Sequence, residues 1–127
     1  MNDYRYPGIN RAVLVVKVAE PFIDWLLDVS KKYDKPEYRV KREDIITDGY
    51  DSKNIYLLPE CDEPEGHMKY IKRHCKKIFE NELWDWCMDS KKWPEDKSWE
   101  AFKKWFDFEV HTMVFDMLHK EYLVHDF

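Results

Sequence analysis

The clearest hydrophobic pattern in the chain lies between residues 11 and 27. Residues 12–16 (AVLVV) form a continuous apolar run rich in β-branched side chains, which is typical of a strand buried on both faces. After Pro21 the apolar residues recur at helical spacing, with Asp24 and Asp28 on the opposite side. Proline suits the first turn of a helix, because its missing N–H would have no partner there. The pattern predicts a buried strand that leads directly into an amphipathic helix.

Three further elements are predicted downstream. Residues 54–58 (NIYLL), closed by Pro59, fit a second strand. Because this strand follows a helix, we expect it to lie parallel to the first strand through a right-handed crossover. Residues 67–88 fit the longest helix, since their apolar positions are spaced by three and four throughout. A shorter helix is expected to start near Ser98, a good N-cap residue.

Two stretches allow more than one interpretation. Residues 37–50 contain a possible short edge strand, but the charged KRED in their middle weighs against it. Residues 106–118 fit a strand with period two, and they also fit a helix, since no glycine or proline separates them from the preceding helix. We favour a strand over residues 108–117, because two strands alone give too little sheet to cover the long helices.

Together these elements predict a small α+β domain over residues 1–127. Its sheet would have three or four strands with a parallel βαβ start, covered by two long helices and one short helix. Residues 1–10 would form an N-terminal arm and residues 119–127 a C-terminal tail.

Four stretches carry a family resemblance: RAVLVVK, PFIDWL, YLLPE and WPEDKSWEAFKKWF. In these stretches the chain resembles short uncharacterised bacterial proteins. The shared motifs are structural in character, so the resemblance implies a common fold and no particular activity.

The composition of the chain argues against several classes of function. Aromatic residues make up 17% of the chain, and only three glycines are present, which argues against a glycine-rich phosphate loop. The net charge of −5 argues against non-specific binding to nucleic acid or to an anionic membrane. No apolar stretch approaches the roughly 20 residues needed to span a bilayer. The odd number of cysteines without a CxxC pair, and an N-terminus unlike a signal peptide, predict reduced thiols and a cytoplasmic location.

A basic stripe on the predicted long helix is the strongest charge pattern. It consists of Lys69, Lys72, Arg73, Lys76 and Lys77. These residues precede the helix's acids, an order that opposes the helix dipole. The stripe is therefore either a solvated face or an anion-binding surface, and we favour the solvated face.

The histidines supply the candidates for chemistry. His67 and His74 lie on one side of the predicted helix and are metal-site candidates, although the sharper HxxxH spacing is absent. On a strand, Glu109 and His111 would share a face, which is the arrangement of a general base oriented by a carboxylate. A small hydrolase or metal-dependent enzyme that uses this pair is the alternative function. No cofactor is predicted.

The dense tryptophans are explained best by core packing, and an interface is the alternative interpretation. Trp84, Trp93 and Trp105 fall at the margins of the apolar stripes, and tryptophan is enriched at interface hot spots. We favour a non-enzymatic binding or protein-interaction module of the bacterial cytoplasm, whose partner is a second copy of the chain or another protein. An antitoxin-like or immunity-like protein, with an acidic surface that masks a basic partner, is a further alternative.

Overall fold

The computed structural model describes residues 5–45, 53–118, 120, 123 and 124. Residues 1–4 of the predicted arm and most of the predicted tail lie outside the described residues. The described elements follow in the order β1 (Arg11–Val18), α1 (Glu20–Ser30), α2 (Arg42–Ile45), β2 (Lys53–Pro59), α3 (Pro64–Trp86), α4 (Trp99–Trp105) and β3 (Phe106–His111). Among these residues the strands form one antiparallel sheet in the order β2-β1-β3. The predicted α+β class is confirmed, and the described residues form three strands and four α-helices.

The direction of β2 corrects the predicted parallel βαβ start. β2 runs antiparallel to β1, with Leu14 opposite Tyr56 and Lys17 opposite Lys53. The reason lies in the connection after α1, where the chain returns to the beginning of that helix before β2 begins. Arg42, the first residue of α2, forms an ion pair with Glu20, the first residue of α1. The chain therefore enters β2 beside the end of β1.

β1 is covered on one face only. Its buried side chains are those of Ala12, Leu14 and Val16, whereas Val13 and Val15 on the other face are half-buried. The expectation of a strand buried on both faces is therefore wrong. In an antiparallel sheet one face can remain open to water, and here all the larger helices pack against the same face.

Four phenylalanines occupy the centre of the core between the sheet and the helices. The fully buried rings are Phe22, Phe79, Phe102 and Phe106. Phe79 on α3 meets Phe106 on β3 edge to face, with ring centroids 4.9 Å apart. Edge-to-face aromatic pairs add attraction beyond the area that they bury, so this cluster joins α1, α3 and α4 to the sheet.

The remaining predictions can be placed on the chain. The strand expected at 108–117 is present but spans Phe106–His111, directly after α4. Ser98 is the N-cap of α4, and its hydroxyl accepts a hydrogen bond from the backbone N–H of Ala101. The possible edge strand at 37–50 is absent from its described part, 37–45, which holds a 3₁₀ turn and α2. Within the described residues, no helix is long and apolar enough to cross a membrane.

Candidate functional site

A groove lies between the outer edge of β2 and α3. Its volume is about 590 Å³. β2 forms the floor of the groove. It is an edge strand, which in the described part of the chain pairs only with β1. The lining side chains are those of Tyr56, Leu57, Leu58, Tyr70, His74, Lys77, Ile78, Glu80, Asn81, Trp84 and Trp93. We call this the β2–α3 groove.

The helical repeat of α3 places the groove wall beside the buried stripe. The wall residues recur every three or four positions, so they share one side of the helix; they are Tyr70, His74, Lys77, Asn81 and Trp84. The ring of Tyr70 lies 4.3 Å from that of His74, centroid to centroid. Trp84 is 48% exposed. An exposed aromatic wall therefore lies beside a strand edge that has no partner strand among the described residues.

A polar cluster behind the groove ties β2 to α3. Glu82 is only 3% exposed, yet it has no cationic partner among the residues that the structure describes. Its carboxylate accepts hydrogen bonds from the hydroxyl of Tyr56 and from Nδ2 of Asn54, the latter at 2.7 Å. Asn81 donates to the Tyr56 hydroxyl at 2.9 Å, and Asn54 also donates to Asp85 at 2.8 Å. Side chains of β2 and α3 thus form one hydrogen-bond network that extends from the buried Glu82 to the exposed Asn81 and Asp85.

Burial raises the pKa values of two side chains in this cluster. Loss of hydration raises the pKa of Glu82 above its usual value, and the hydrogen bonds from Tyr56 and Asn54 oppose that shift. The pKa of Tyr56 is also raised, first by burial and then by the nearby charge of Glu82. Perturbed carboxyl groups often mark functional sites, but structural networks perturb them as well. The Glu82 cluster sets the width of the groove by holding β2 against α3.

The raised pKa of Glu82 predicts a pH dependence of stability. The folded state binds the Glu82 proton more tightly than the unfolded state, for which the pKa is about 4.5. The contribution of Glu82 is therefore fully favourable below pH 4.5 and is lost as the pH rises through the folded pKa. We expect Glu82→Gln to gain stability relative to the wild type above pH 4.5, by up to about 1.4 kcal/mol per pH unit.

Urea unfolding between pH 4 and 8 would measure this effect. The matched control is Glu95→Gln, which removes a carboxylate from an exposed loop and should keep the wild-type profile. A difference between Glu82→Gln and wild type that stays constant across this range would contradict the prediction.

The interface tryptophans divide into two groups. Trp84 and Trp93 both line the groove, and Nε1 of Trp93 donates to the carbonyl of Cys87 at 2.7 Å. Trp105 instead packs into the core, with its ring 5.4 Å from Phe79 and 6.3 Å from Trp25. The structure therefore places two of the three candidate interface residues in the groove and the third, Trp105, against the core.

The metal candidates are separated in the structure. His67 is buried at the start of α3, and its Nε2 has no hydrogen-bond partner. It borders a recess of about 490 Å³ together with Cys61 and Thr112. His74 lines the β2–α3 groove instead. Among the residues that the structure describes, no group of three or more His, Cys, Asp or Glu residues is placed to hold a metal ion.

The candidate catalytic pair lies on the open face of the sheet. Nε2 of His111 is 3.5 Å from Oε2 of Glu109, and both side chains are more than half exposed. Glu109 borders a shallow depression of about 270 Å³ with Lys17 and Lys53. His111 does not line that depression. The pair forms a surface ion pair when His111 is protonated, beside a shallow surface.

The basic stripe of α3 is exposed along its length. Within the described part of the chain none of its five cations forms an ion pair, although acids precede them at the helix start. Lys77 reaches the β2–α3 groove, and Arg73 lies one helical turn before it. The stripe therefore gives one border of the groove a positive charge.

All three cysteines are free thiols, as predicted. Cys75 and Cys87 are buried, and burial raises the pKa of the Cys75 thiol. Cys61 is half-buried in the loop before α3, where it packs against Gly66. A side chain at Gly66 would collide with Cys61, since an added Cβ would lie 2.9 Å from the Cys61 Cβ.

Sequence reasoning missed Tyr56, Tyr70 and Glu82 as parts of this site. One signal was present, because Glu82 lies three and four residues after Phe79 and Ile78, on the buried stripe of α3. A carboxylate at such a position needs hydrogen-bond partners.

Comparisons of the chain with protein-family models, with curated proteins and with solved structures gave no match.

Proposed function

We propose that this chain is a non-enzymatic protein-interaction module of the bacterial cytoplasm that binds an extended polypeptide segment in the β2–α3 groove. The main support is a single observation: one groove is lined both by exposed aromatic side chains and by a strand that, among the described residues, is paired along one edge only. Such an edge can accept an additional strand from a partner, with main-chain hydrogen bonds supplying affinity.

The groove dimensions suit a short strand. β2 has seven residues and offers an edge roughly 24 Å long, at about 3.4 Å per residue. Side chains of an added strand alternate between the two faces of the sheet. Every second side chain of the partner would then point toward Tyr70 and Trp84, so apolar residues are expected at alternate positions.

Two polar side chains that line the groove, those of Tyr56 and Asn81, already form hydrogen bonds within the fold. Tyr56 and Asn81 hydrogen-bond within the Glu82 cluster, and Glu82 itself is buried behind them. Lys77 and Glu80 are the charged side chains on the groove wall. A binding surface with aromatic anchors and a charged border resembles protein interfaces in general, in which Trp and Tyr supply most of the binding energy.

Peptide selection tests this function. A phage-displayed library of random dodecapeptides would be selected on the full chain, and the enriched peptides synthesised with a fluorescent label. We expect enriched peptides with alternating apolar residues. Trp84→Ala should weaken their binding about 30-fold, equivalent to about 2 kcal/mol. Fluorescence anisotropy titration gives both dissociation constants.

The chain offers a matched control on the same helix. Trp86 is also exposed but does not line the groove, so Trp86→Ala should leave peptide affinity unchanged. In hydrogen exchange, peptide binding should protect alternate amides of β2, namely those directed away from β1. Failure to enrich any peptide, or equal effects of Trp84→Ala and Trp86→Ala, would refute the proposal.

A further inference from the structure

A second unpartnered apolar surface follows β3. We call residues 113–118 the C-terminal segment. Four of its six side chains are large, apolar and exposed: Met113 (71%), Phe115 (44%), Met117 (63%) and Leu118 (74%). Exposed hydrophobic residues are ordinary when they are scattered singly, whereas a contiguous group indicates an interaction site.

The backbone of the C-terminal segment is extended over residues 113–116, where it is hydrogen-bonded to residues 7–9, and it bends at 117–118. Gly8 and Phe115 form an isolated antiparallel bridge, flanked by a hydrogen bond from Ile9 N to the Val114 carbonyl at 2.9 Å. Asp116 N donates to the Pro7 carbonyl, also at 2.9 Å. The exposed Met113, Phe115 and Met117 alternate with half-buried residues, so the segment presents the period-two apolar pattern of a strand.

The segment and the groove match in length and in charge. Residues 113–116 are extended over roughly 14 Å and fit within the roughly 24 Å edge of β2; a bend follows at 117–118, where Leu118 N donates to Oδ1 of Asp116. Asp116 is the one charged residue of the segment. Its charge is complementary to that of Lys77, which lines the groove, and of Arg73, one helical turn before it; neither cation forms an ion pair within the described residues. The apolar side chains suit the aromatic wall formed by Tyr70 and Trp84.

The segment is held away from the groove of its own chain. β2 and β3 are opposite edges of the sheet, with β1 between them. The C-terminal segment follows β3 and is hydrogen-bonded to residues 7–9, which lead into β1. The groove is at the far edge, beyond β1. A segment that occupies the groove must therefore come from a second copy.

We infer that the C-terminal segment of one copy occupies the β2–α3 groove of another, so that the chain self-associates. This inference rests on the proposed function of the groove and names its partner. Each copy carries one groove and one segment, and both are remote from each other on the sheet. Association can therefore be broken from either side by separate substitutions.

Sedimentation velocity over a range of protein concentrations tests the inference. Wild-type chain should sediment with an average mass that rises with concentration. Trp84→Ala in the groove and the double variant Phe115→Asp, Met117→Asp in the segment should each weaken association at least tenfold. Met88→Asp is the matched control, since Met88 is similarly exposed (68%) outside both surfaces. Circular dichroism would verify that each variant is folded.

Mixing the two defective variants tests directly whether the segment of one copy binds the groove of another. The Trp84→Ala chain keeps an intact segment, and the double variant keeps an intact groove. Their mixture should form heterodimers and no larger species, because only one groove and one segment remain competent. Mixing without recovery of association would overturn the inference.

A peptide probe separates this inference from the proposed function. A labelled peptide with the sequence of residues 111–120 should bind the double variant, whose groove is free, and should bind Trp84→Ala at least tenfold more weakly. If this peptide fails to bind while library-selected peptides still bind in a Trp84-dependent manner, the self-association inference is wrong and the proposed function stands. If neither kind of peptide binds, both are wrong.

Discussion

Replacing Phe79 by alanine is expected to lower the free energy of unfolding by about 3–5 kcal/mol. Phe79 is fully buried, and its ring contacts Phe102, Trp105 and Phe106 at centroid distances of 6.4, 5.4 and 4.9 Å. Truncation would remove these contacts and leave a cavity among rings that are rigid and cannot collapse fully. Urea unfolding followed by tryptophan fluorescence gives the measurement.

The expected loss is a large fraction of the total stability of a domain of this size, which is about 5–15 kcal/mol. Phe79→Leu is the companion variant, because it keeps an apolar side chain in the site and should cost less than Phe79→Ala. A loss below about 1 kcal/mol for Phe79→Ala would show that α3 does not pack against β3 as described.

Tyr56→Phe is expected to cost about 2 kcal/mol, the usual effect of removing a hydrogen bond to a charged group. The variant keeps the ring but removes the hydroxyl that donates to the buried carboxylate of Glu82. Asn81 Nδ2 would also lose its acceptor. The buried carboxylate would then retain Asn54 as its hydrogen-bond donor, and the contact between β2 and α3 would weaken.

Tyr38→Phe provides the control for Tyr56→Phe. Tyr38 is 60% exposed, and its hydroxyl donates no hydrogen bond to any described residue, so loss of the hydroxyl should change stability by less than about 0.5 kcal/mol. Tyr56→Phe should cost less stability in a Glu82→Gln background than in the wild type, because the Tyr56 hydroxyl then no longer donates to a carboxylate. Additive effects would mean that Tyr56 and Glu82 do not interact in solution.

Groove shape and core stability are linked through α3. One side of this helix carries Phe79 into the core, the adjacent side carries Trp84 into the groove, and Glu82 holds β2 against it. We therefore expect Tyr56→Phe to reduce peptide affinity as well as stability. Trp84→Ala differs from this variant, since Trp84 is exposed and its loss should affect binding far more than folding.

The sequence alone determined the local elements, because hydrophobic periodicity is a property of neighbouring residues. The apolar run of β1, the three-and-four spacing of α3 and the N-cap Ser98 were sufficient to place these elements within a few residues. The strand preference at β3 was also correct, since the alternation of Phe106, Phe108 and Val110 places them on the covered face of the sheet.

Only the tertiary structure decided how the elements are arranged. The antiparallel direction of β2 depends on where the chain returns after α1, as shown by the ion pair between Glu20 and Arg42, which are 22 residues apart. The burial of Glu82 depends on Tyr56 and Asn54, which belong to another element. The same dependence placed Trp84 in a groove and Trp105 in the core, although both lie at the margins of apolar stripes. Periodicity identifies the residues that share a face, but the partner of that face is set by long-range packing that no local pattern encodes.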